Sequence, residues 1–390
     1  MRNQEKWSRR NFLTIAGTAA FASGFPFPRA LAQSANTGGE ESDATTPAVS
    51  ASVALLYRKA LVLDANTLAS IGYVQYEKDV AQKLQAIRNS GVTVLKSTMG
   101  GDGGTFEETV ADLAAAQSLI DQHPDLFLKV THPADLERPK ADQKVGVILS
   151  FEAVSMLEDK IERIDIFRQL DVLVMQLTYN HKSPFGCGCL DGDKDGVTEL
   201  GRKAIARMNA TGVALDLSHA NSQTTADGVQ LSKRPPVITH AGCRAVFNHP
   251  RNKTDQSMKA LADKGGVMGI YMLPFLTPDT RQPTLADYIE HMVHALKICG
   301  EDHVGIGTDS LFFKVTDEDL QEIAKEEAER RKQGLGAPGE NRPPYLPDVN
   351  TPRKLEYVAD ALLKRGYSAR ITEKVLGLNF VRVFKEIWPV

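Results

Sequence analysis

Val213-Ala214-Leu215-Asp216-Leu217-Ser218-His219 and, a short step later, Val237-Ile238-Thr239-His240 are two apolar runs that each end in a histidine. Neither run alternates apolar with polar residues along its length, as a strand with one wet face would. Such runs suit parallel strands buried on both faces. Outward from this pair, the same kind of run recurs at Leu61–Thr67, Val92–Thr98, Val145–Glu152, Val172–Tyr179, Gly266–Leu273 and His303–Asp309. Longer helical patterns lie between them, among them Tyr76–Asn89, Phe106–Gln122, Glu199–Ala210 and Leu285–Cys299. Eight strands, each followed by a helix, predict an α/β fold of the (β/α)8 TIM-barrel type. An open doubly wound sheet would carry a glycine-rich phosphate turn after its first strand, where this chain has Asp64-Ala65-Asn66-Thr67.

The polar residues sharpen this reading. Nearly every apolar run ends in a side chain able to bind a metal or move a proton: Asp64 and Asn66, Lys96, Glu152, Tyr179, His219, His240, Tyr271 and Asp309. Barrel enzymes hold their chemistry at the C-terminal ends of the strands, so these ends are expected to converge on one pocket. A single strand histidine is ordinarily a hydrogen-bonded core residue; the argument rests on the set. Glu152, His219 and His240 form a carboxylate and two imidazoles, a common catalytic zinc set with a fourth position left for water. Water on such an ion ionises near neutral pH and becomes a nucleophile. Asp309, closing the last strand, is placed as the general base. Asp216 shares a strand with His219 and is read as support for the barrel. Lys96 is read as a hydrogen-bonding residue of the pocket wall.

The ends of the chain carry other signals. Ser8-Arg9-Arg10-Asn11-Phe12-Leu13 is a twin-arginine motif, followed by a moderately apolar run to Phe25 and a small-x-small pattern at Ala30-Leu31-Ala32. The expected organisation is a signal peptide over 1–32, a disordered leader over 33–50 and one domain over 51–390, with the twin-arginine export machinery as a partner and the periplasm as destination. The apolar run is too short and too rich in small residues to span a bilayer comfortably. With 46 Lys+Arg against 49 Asp+Glu and no basic stripe, nucleic acid is not an expected partner. Four cysteines are few for an exported domain of this size; Cys187 and Cys189 are too close to bridge without strain, so distant pairing or free thiols are expected. The charged stretch Asp317–Gln333 and the Gly- and Pro-rich Gly334–Pro347 read as a solvated helix plus linker. A lid over the pocket is the alternative.

Taken in order, Asp216-Leu217-Ser218-His219, Pro236-Val237-Ile238-Thr239-His240, His249-Pro250-Arg251-Asn252, Gly265-Gly266-Val267-Met268-Gly269 and His303-Val304-Gly305-Ile306-Gly307-Thr308-Asp309 resemble the membrane dipeptidase (renal dipeptidase) family. The stretch Gly196–Gly201, the triplet Arg207-Met208-Asn209 and the ending Leu376-Gly377-Leu378-Asn379-Phe380 extend the likeness over roughly residues 55–388. The resemblance implies a two-zinc barrel that cleaves dipeptides and commonly forms homodimers. By position it implies Glu152 as the carboxylate bridging the metals, His219 and His240 as imidazoles of the second metal, and Asp309 as the acid/base. Arg251 matches the guanidinium that clamps the substrate carboxylate.

Four positions depart from the pattern, one of them Leu311, where the family's Asp-x-Asp after strand eight becomes Asp309-Ser310-Leu311. The family's His-x-Asp pair after strand one is here Asn66 and Leu68, neither a useful zinc ligand, so one zinc is expected and two is the upper bound. Asp64, on the same face as Asn66 but one layer deeper, is a weak substitute. The strand-four histidine is replaced by Tyr179, a substrate-binding candidate, with His181 two residues on either reaching back or lying in the loop. These departures leave three readings open. The first is a one-metal dipeptidase or small-amide hydrolase; the second is a scaffold repurposed, as in relatives acting in periplasmic pyoverdine-type siderophore maturation. The third is a non-catalytic binding protein.

Overall fold

The computed structural model describes residues 48–389 apart from 69–70, 72–78, 100–103, 279 and 333. The twin-arginine motif, the apolar run after it and almost all of the leader lie outside the described residues. Among those described, no helix is long and apolar enough to cross a membrane.

The described residues form nine strands: β1 Leu63–Thr67, β2 Val94–Thr98, β3 Phe127–Lys129, β4 Val145–Phe151, β5 Val172–Gln176, β6 Ala214–Asp216, β7 Val237–Ala241, β8 Val267–Ile270 and β9 Val304–Ile306. Every pairing is parallel. β2 pairs with both β1 and β4, and β1 pairs with β9, so eight strands close on themselves in the order β1-β2-β4-β5-β6-β7-β8-β9. This is the expected (β/α)8 barrel. The addition is β3, which pairs only with β4 outside the ring. At three residues, two of them half-buried, it carries too little pattern to be seen in the sequence.

Two apolar layers hold the barrel. Strand residues Leu63, Val94, Ile148, Val174, Val237 and Val267 form one buried cluster with Trp388 and with Phe380 and Phe384 of the C-terminal helix Asn379–Ile387, which Trp388 directly follows. That helix is amphipathic in sequence, and the Trp388 Nε1–H donates to the Leu173 carbonyl at 3.2 Å, tying its end to β5. The outer helices supply a second, larger cluster. Gly307, just past β9, is required by closeness: a Cβ there would lie 1.8 Å from the Thr239 carbonyl oxygen. Only glycine lets the end of β9 approach β7, and that approach brings Asp309 beside His240.

The segment after β9 differs from the expectation of a solvated helix and linker. The helix Asp317–Lys332 turns Asp319, Glu322, Ile323, Glu327 and Arg330 toward the barrel mouth. These positions recur at helical spacing, so the helix has a pocket face as well as a wet one. The chain beyond it is held down on the barrel loops by hydrogen bonds from both sides. Arg342 donates to the Pro274 and Pro278 carbonyls at 2.6 and 2.9 Å, and Gln282 Nε2 donates to those of Pro343 and Tyr345 at 2.6 and 2.7 Å. The segment is a seated lid.

Candidate active site at the barrel mouth

Two buried aspartates aim the strand ends before any catalytic group is considered. Asp216, at the end of β6, accepts from the Thr239 backbone N–H at 3.1 Å and from Thr239 Oγ1 at 2.5 Å. Asp64, in β1, does the same to Thr308: 2.8 Å from its N–H and 2.6 Å from its hydroxyl. Each threonine immediately precedes a site residue, His240 or Asp309. Asp64 is therefore a clamp below the site, and the weak expectation that it stands in as a metal ligand is not met.

Burial pushes the Asp64 carboxyl up to about 6, against the hydrogen bonds from Thr308 that pull it down. The folded state thus holds this proton more tightly than the unfolded chain, where an aspartate titrates near ~3.9. Its contribution to stability falls as pH rises from about 4 to about 6. In denaturant melts across that window, the wild type should lose stability relative to Asp64→Asn by up to roughly 3 kcal/mol. A difference between the two proteins that does not change with pH would refute this.

The imidazole tautomers follow from their partners. Thr239 gives its hydroxyl proton to Asp216, so its oxygen can only accept from His240 Nδ1, at 2.9 Å. Asn180 Oδ1, an acceptor, lies 2.8 Å from His219 Nδ1. Both rings therefore carry their proton on Nδ1 and turn a lone pair outward on Nε2, and the two Nε2 atoms are 3.0 Å apart. Burial holds the His240 pKa far below the usual histidine range, so that ring is neutral. Two lone pairs converging at this distance want a cation. Carboxylates stand next to them: one ligand atom each of Glu152, His240 and Asp309 lies within 4.8 Å of the other two, all buried. His219 meets this trio through His240 and is stacked on the Tyr179 ring, centroids 4.2 Å apart. Two imidazoles and two carboxylates are a donor set that fits one divalent ion.

Among the described residues, the strand-one end brings no such set. The Asn66 amide Nδ2 donates to Glu152 Oε1 at 3.0 Å and to Asp309 Oδ1 at 2.8 Å, so both its protons are spent on the carboxylates. Behind it, Lys96 Nζ donates to Asn66 Oδ1 at 2.6 Å and to Ser150 Oγ at 3.1 Å. A neutral amide backed by a buried ammonium thus bridges the two carboxylates, and Leu68 offers no donor atom. Asp309 itself is held at φ 50°, in the left-handed region that a non-glycine residue adopts only under constraint. Its N–H donates to the Asn66 carbonyl at 2.8 Å, which supplies part of that constraint.

Glu152, His219 and Asp309 line a pocket of ≈ 230 Å³ at the C-terminal ends of the strands, and His240, Asn66 and Lys96 are fully buried outside its lining. Arg251 is fully buried in its wall: Nη1 donates to the Ser218 carbonyl at 2.6 Å, and Nη2 lies 3.2 Å from His219 Nε2. Tyr179 lines it too, its hydroxyl accepting from lid Arg330 at 3.2 Å. His181 does not reach back; its Nε2 is 2.9 Å from the Gly334 carbonyl, in the loop. All four cysteines are free and buried. Asn180 is the site residue that the sequence reading missed. No spacing signals it, because its partners lie 39 and 155 residues away in the chain.

Fold and site together define a barrel of the dipeptidase-like metallohydrolase class. The model of the Membrane dipeptidase family (Peptidase family M19) matches residues 77–327, and the chain belongs to that family. It is 28% identical over 286 residues to an uncharacterised Klebsiella pneumoniae protein from the pqqA 5′ region, covering 71% of this chain and 94% of that one. Among solved structures it is similar to an amidohydrolase from Pseudomonas aeruginosa, with a TM-score of 0.74 and 30% identity over 86% of this chain and 99% of the other. The probable dipeptidase PvdM of the same organism shares the fold at a TM-score of 0.67 and 18% identity, covering 86% of this chain and 97% of the other.

Proposed function

We propose that this protein is a hydrolase that cuts a dipeptide or a small amide with one zinc ion, held by Glu152, His219 and His240 and touched by Asp309. The observation that carries the reading is the pair of imidazole lone pairs, fixed outward by Asn180 and by the Thr239–Asp216 relay, converging beside two buried carboxylates. An ion there would polarise the scissile carbonyl and acidify a water molecule. The protein's own groups do the rest. Asp309 takes the proton of the attacking water and passes it to the leaving amine, its orientation set by Asn66. Arg251 offers a fixed, fully ionised guanidinium to the carboxylate of the substrate. Tyr179 backs His219 and supplies a pocket wall. The lid excludes water once substrate is bound.

The test is metal analysis of the purified protein, with hydrolysis of a panel of L-L and L-D dipeptides. About one zinc per chain, with turnover lost on chelation and restored by zinc, is the expected result. No divalent metal above background would overturn it and favour a non-catalytic binding protein. Bound zinc with no dipeptide turned over would favour the second reading, a scaffold moved to a tailoring reaction such as siderophore maturation. The replacement of the strand-one ligands by Asn66 and Leu68 is what makes that second reading specific. Export to the periplasm is also part of the proposal and rests on Ser8–Leu13 and Ala30–Ala32. Replacing Arg9 and Arg10 with lysine should keep the protein in the cytoplasmic fraction.

A further inference from the structure

Asn180 joins two parts of the molecule that are otherwise separate. It is buried, and its two amide atoms face opposite ways. Nδ2 donates to the Leu335 carbonyl of the lid at 3.2 Å, and Oδ1 receives His219 Nδ1 at 2.8 Å. The first bond decides the second. A carbonyl oxygen can only accept, so the Leu335 carbonyl obliges the amide to present its nitrogen to the lid. The oxygen is then turned toward His219, and an amide oxygen can only accept. The ring must therefore carry its proton on Nδ1 and its lone pair on Nε2. With the lid lifted, only the weak Cys189 Sγ contact to Oδ1, at 3.4 Å, still distinguishes the two ends of the amide, and a half-turn would offer His219 a donor in place of an acceptor. The ring would then protonate Nε2, the atom directed at His240 and into the site.

Other contacts place lid and ring together in the same way. Tyr179, next in sequence, stacks on His219 and accepts from Arg330 of the lid helix. Arg330 is paired with Glu340 at 2.9 Å, and Glu340 also accepts from the Ala337 N–H, so the lid's own turn is tied to the same latch. Close by, His249 Nε2 lies 2.8 Å from the Pro338 carbonyl.

We propose that Asn180 is a positioning residue through which the seated lid fixes the His219 tautomer, so that lid closure and metal affinity are coupled. This rests on the one-zinc reading above. Coupling of this kind is reciprocal: a ligand that favours the closed lid tightens metal, and metal favours the closed lid.

The two ends of the amide can be separated by substitution. Asn180→Asp keeps an acceptor for His219 but cannot donate to Leu335. Asn180→Leu keeps the shape and loses both bonds. Zinc affinity, measured by competition with a chromophoric chelator, should fall about 10–100-fold in Asn180→Leu and stay within about threefold of wild type in Asn180→Asp. In both variants backbone amides over 334–340 should exchange hydrogen faster than in wild type, with melting temperatures as the check on folding. Nitrogen NMR of the metal-free chain adds a readout that needs neither variant: His219 should be protonated on Nδ1. Wild-type affinity in a folded Asn180→Leu, or Asn180→Asp as weak as Asn180→Leu, or an Nε2–H tautomer in the wild type, would overturn the proposal. Wild-type protein that binds no zinc would instead defeat the one-zinc reading.

Discussion

Asp309→Asn should lower dipeptide turnover by about 10²–10⁴-fold, the range that a positioned general base contributes. The substitution keeps the size and the left-handed backbone, since asparagine tolerates φ near the observed 50° better than most residues. What it removes is the basicity. Its cost should appear in kcat, with KM for the dipeptide little changed, because Arg251 and the pocket wall still bind the ground state. Stopped assays over a substrate series, with zinc content measured on the same sample, separate lost chemistry from lost metal. Turnover within tenfold of wild type, with zinc intact, would show that another group moves the proton.

His240→Ala should have the second large effect, on metal itself. His240 Nε2 lies 3.0 Å from that of His219 and 4.0 Å from Asp309 Oδ2, the nearest thing the site has to a centre. Losing a ligand outright should cost more than the ~10–100-fold typical of an outer partner. A folded wild type at zinc concentrations a thousandfold over Kd gains about 4.1 kcal/mol from binding, and this zinc-dependent rise in melting temperature should vanish in the variant. His240→Gln controls for the cavity left by alanine. If either variant keeps a tight stoichiometric zinc, the ion is held elsewhere.

Much of this was legible in the sequence, for physical reasons. A parallel strand buried on both faces tends to be a continuous apolar run, so most of the ring strands were marked by composition, and the buried but mixed Leu63–Thr67 was marked by its place in the strand–helix order. A residue that ends such a run has few places to point, so Glu152, His219, His240 and Asp309 could be placed at one mouth. The depth of Asp64 followed from strand periodicity. What could not be read was anything decided by long-range hydrogen bonding. That the Asn66 amide would reach Glu152 and Asp309, 86 and 243 residues away, is a fact of barrel closure. Nothing local to Asn180 announces that it joins lid and ring. The lid helix was misjudged because its charge outweighed its spacing: Asp319, Glu322, Ile323 and Arg330 lie on one face, but a stripe so polar resembles solvated surface until a pocket is seen beneath it.

The Asn66 amide has a consequence for supply. A hydrogen-bonded bridge between Glu152 and Asp309, made by a side chain of the protein itself, needs no free metal, and no chelator can strip it. Where two ions must both load before turnover begins, activity follows metal concentration with a lag. On the one-zinc reading proposed above, the bridge needs no second ion, and the dependence of activity on zinc should reduce to one simple hyperbola. A hydrolase arranged as proposed would start working on its first ion, an advantage wherever that ion is scarce.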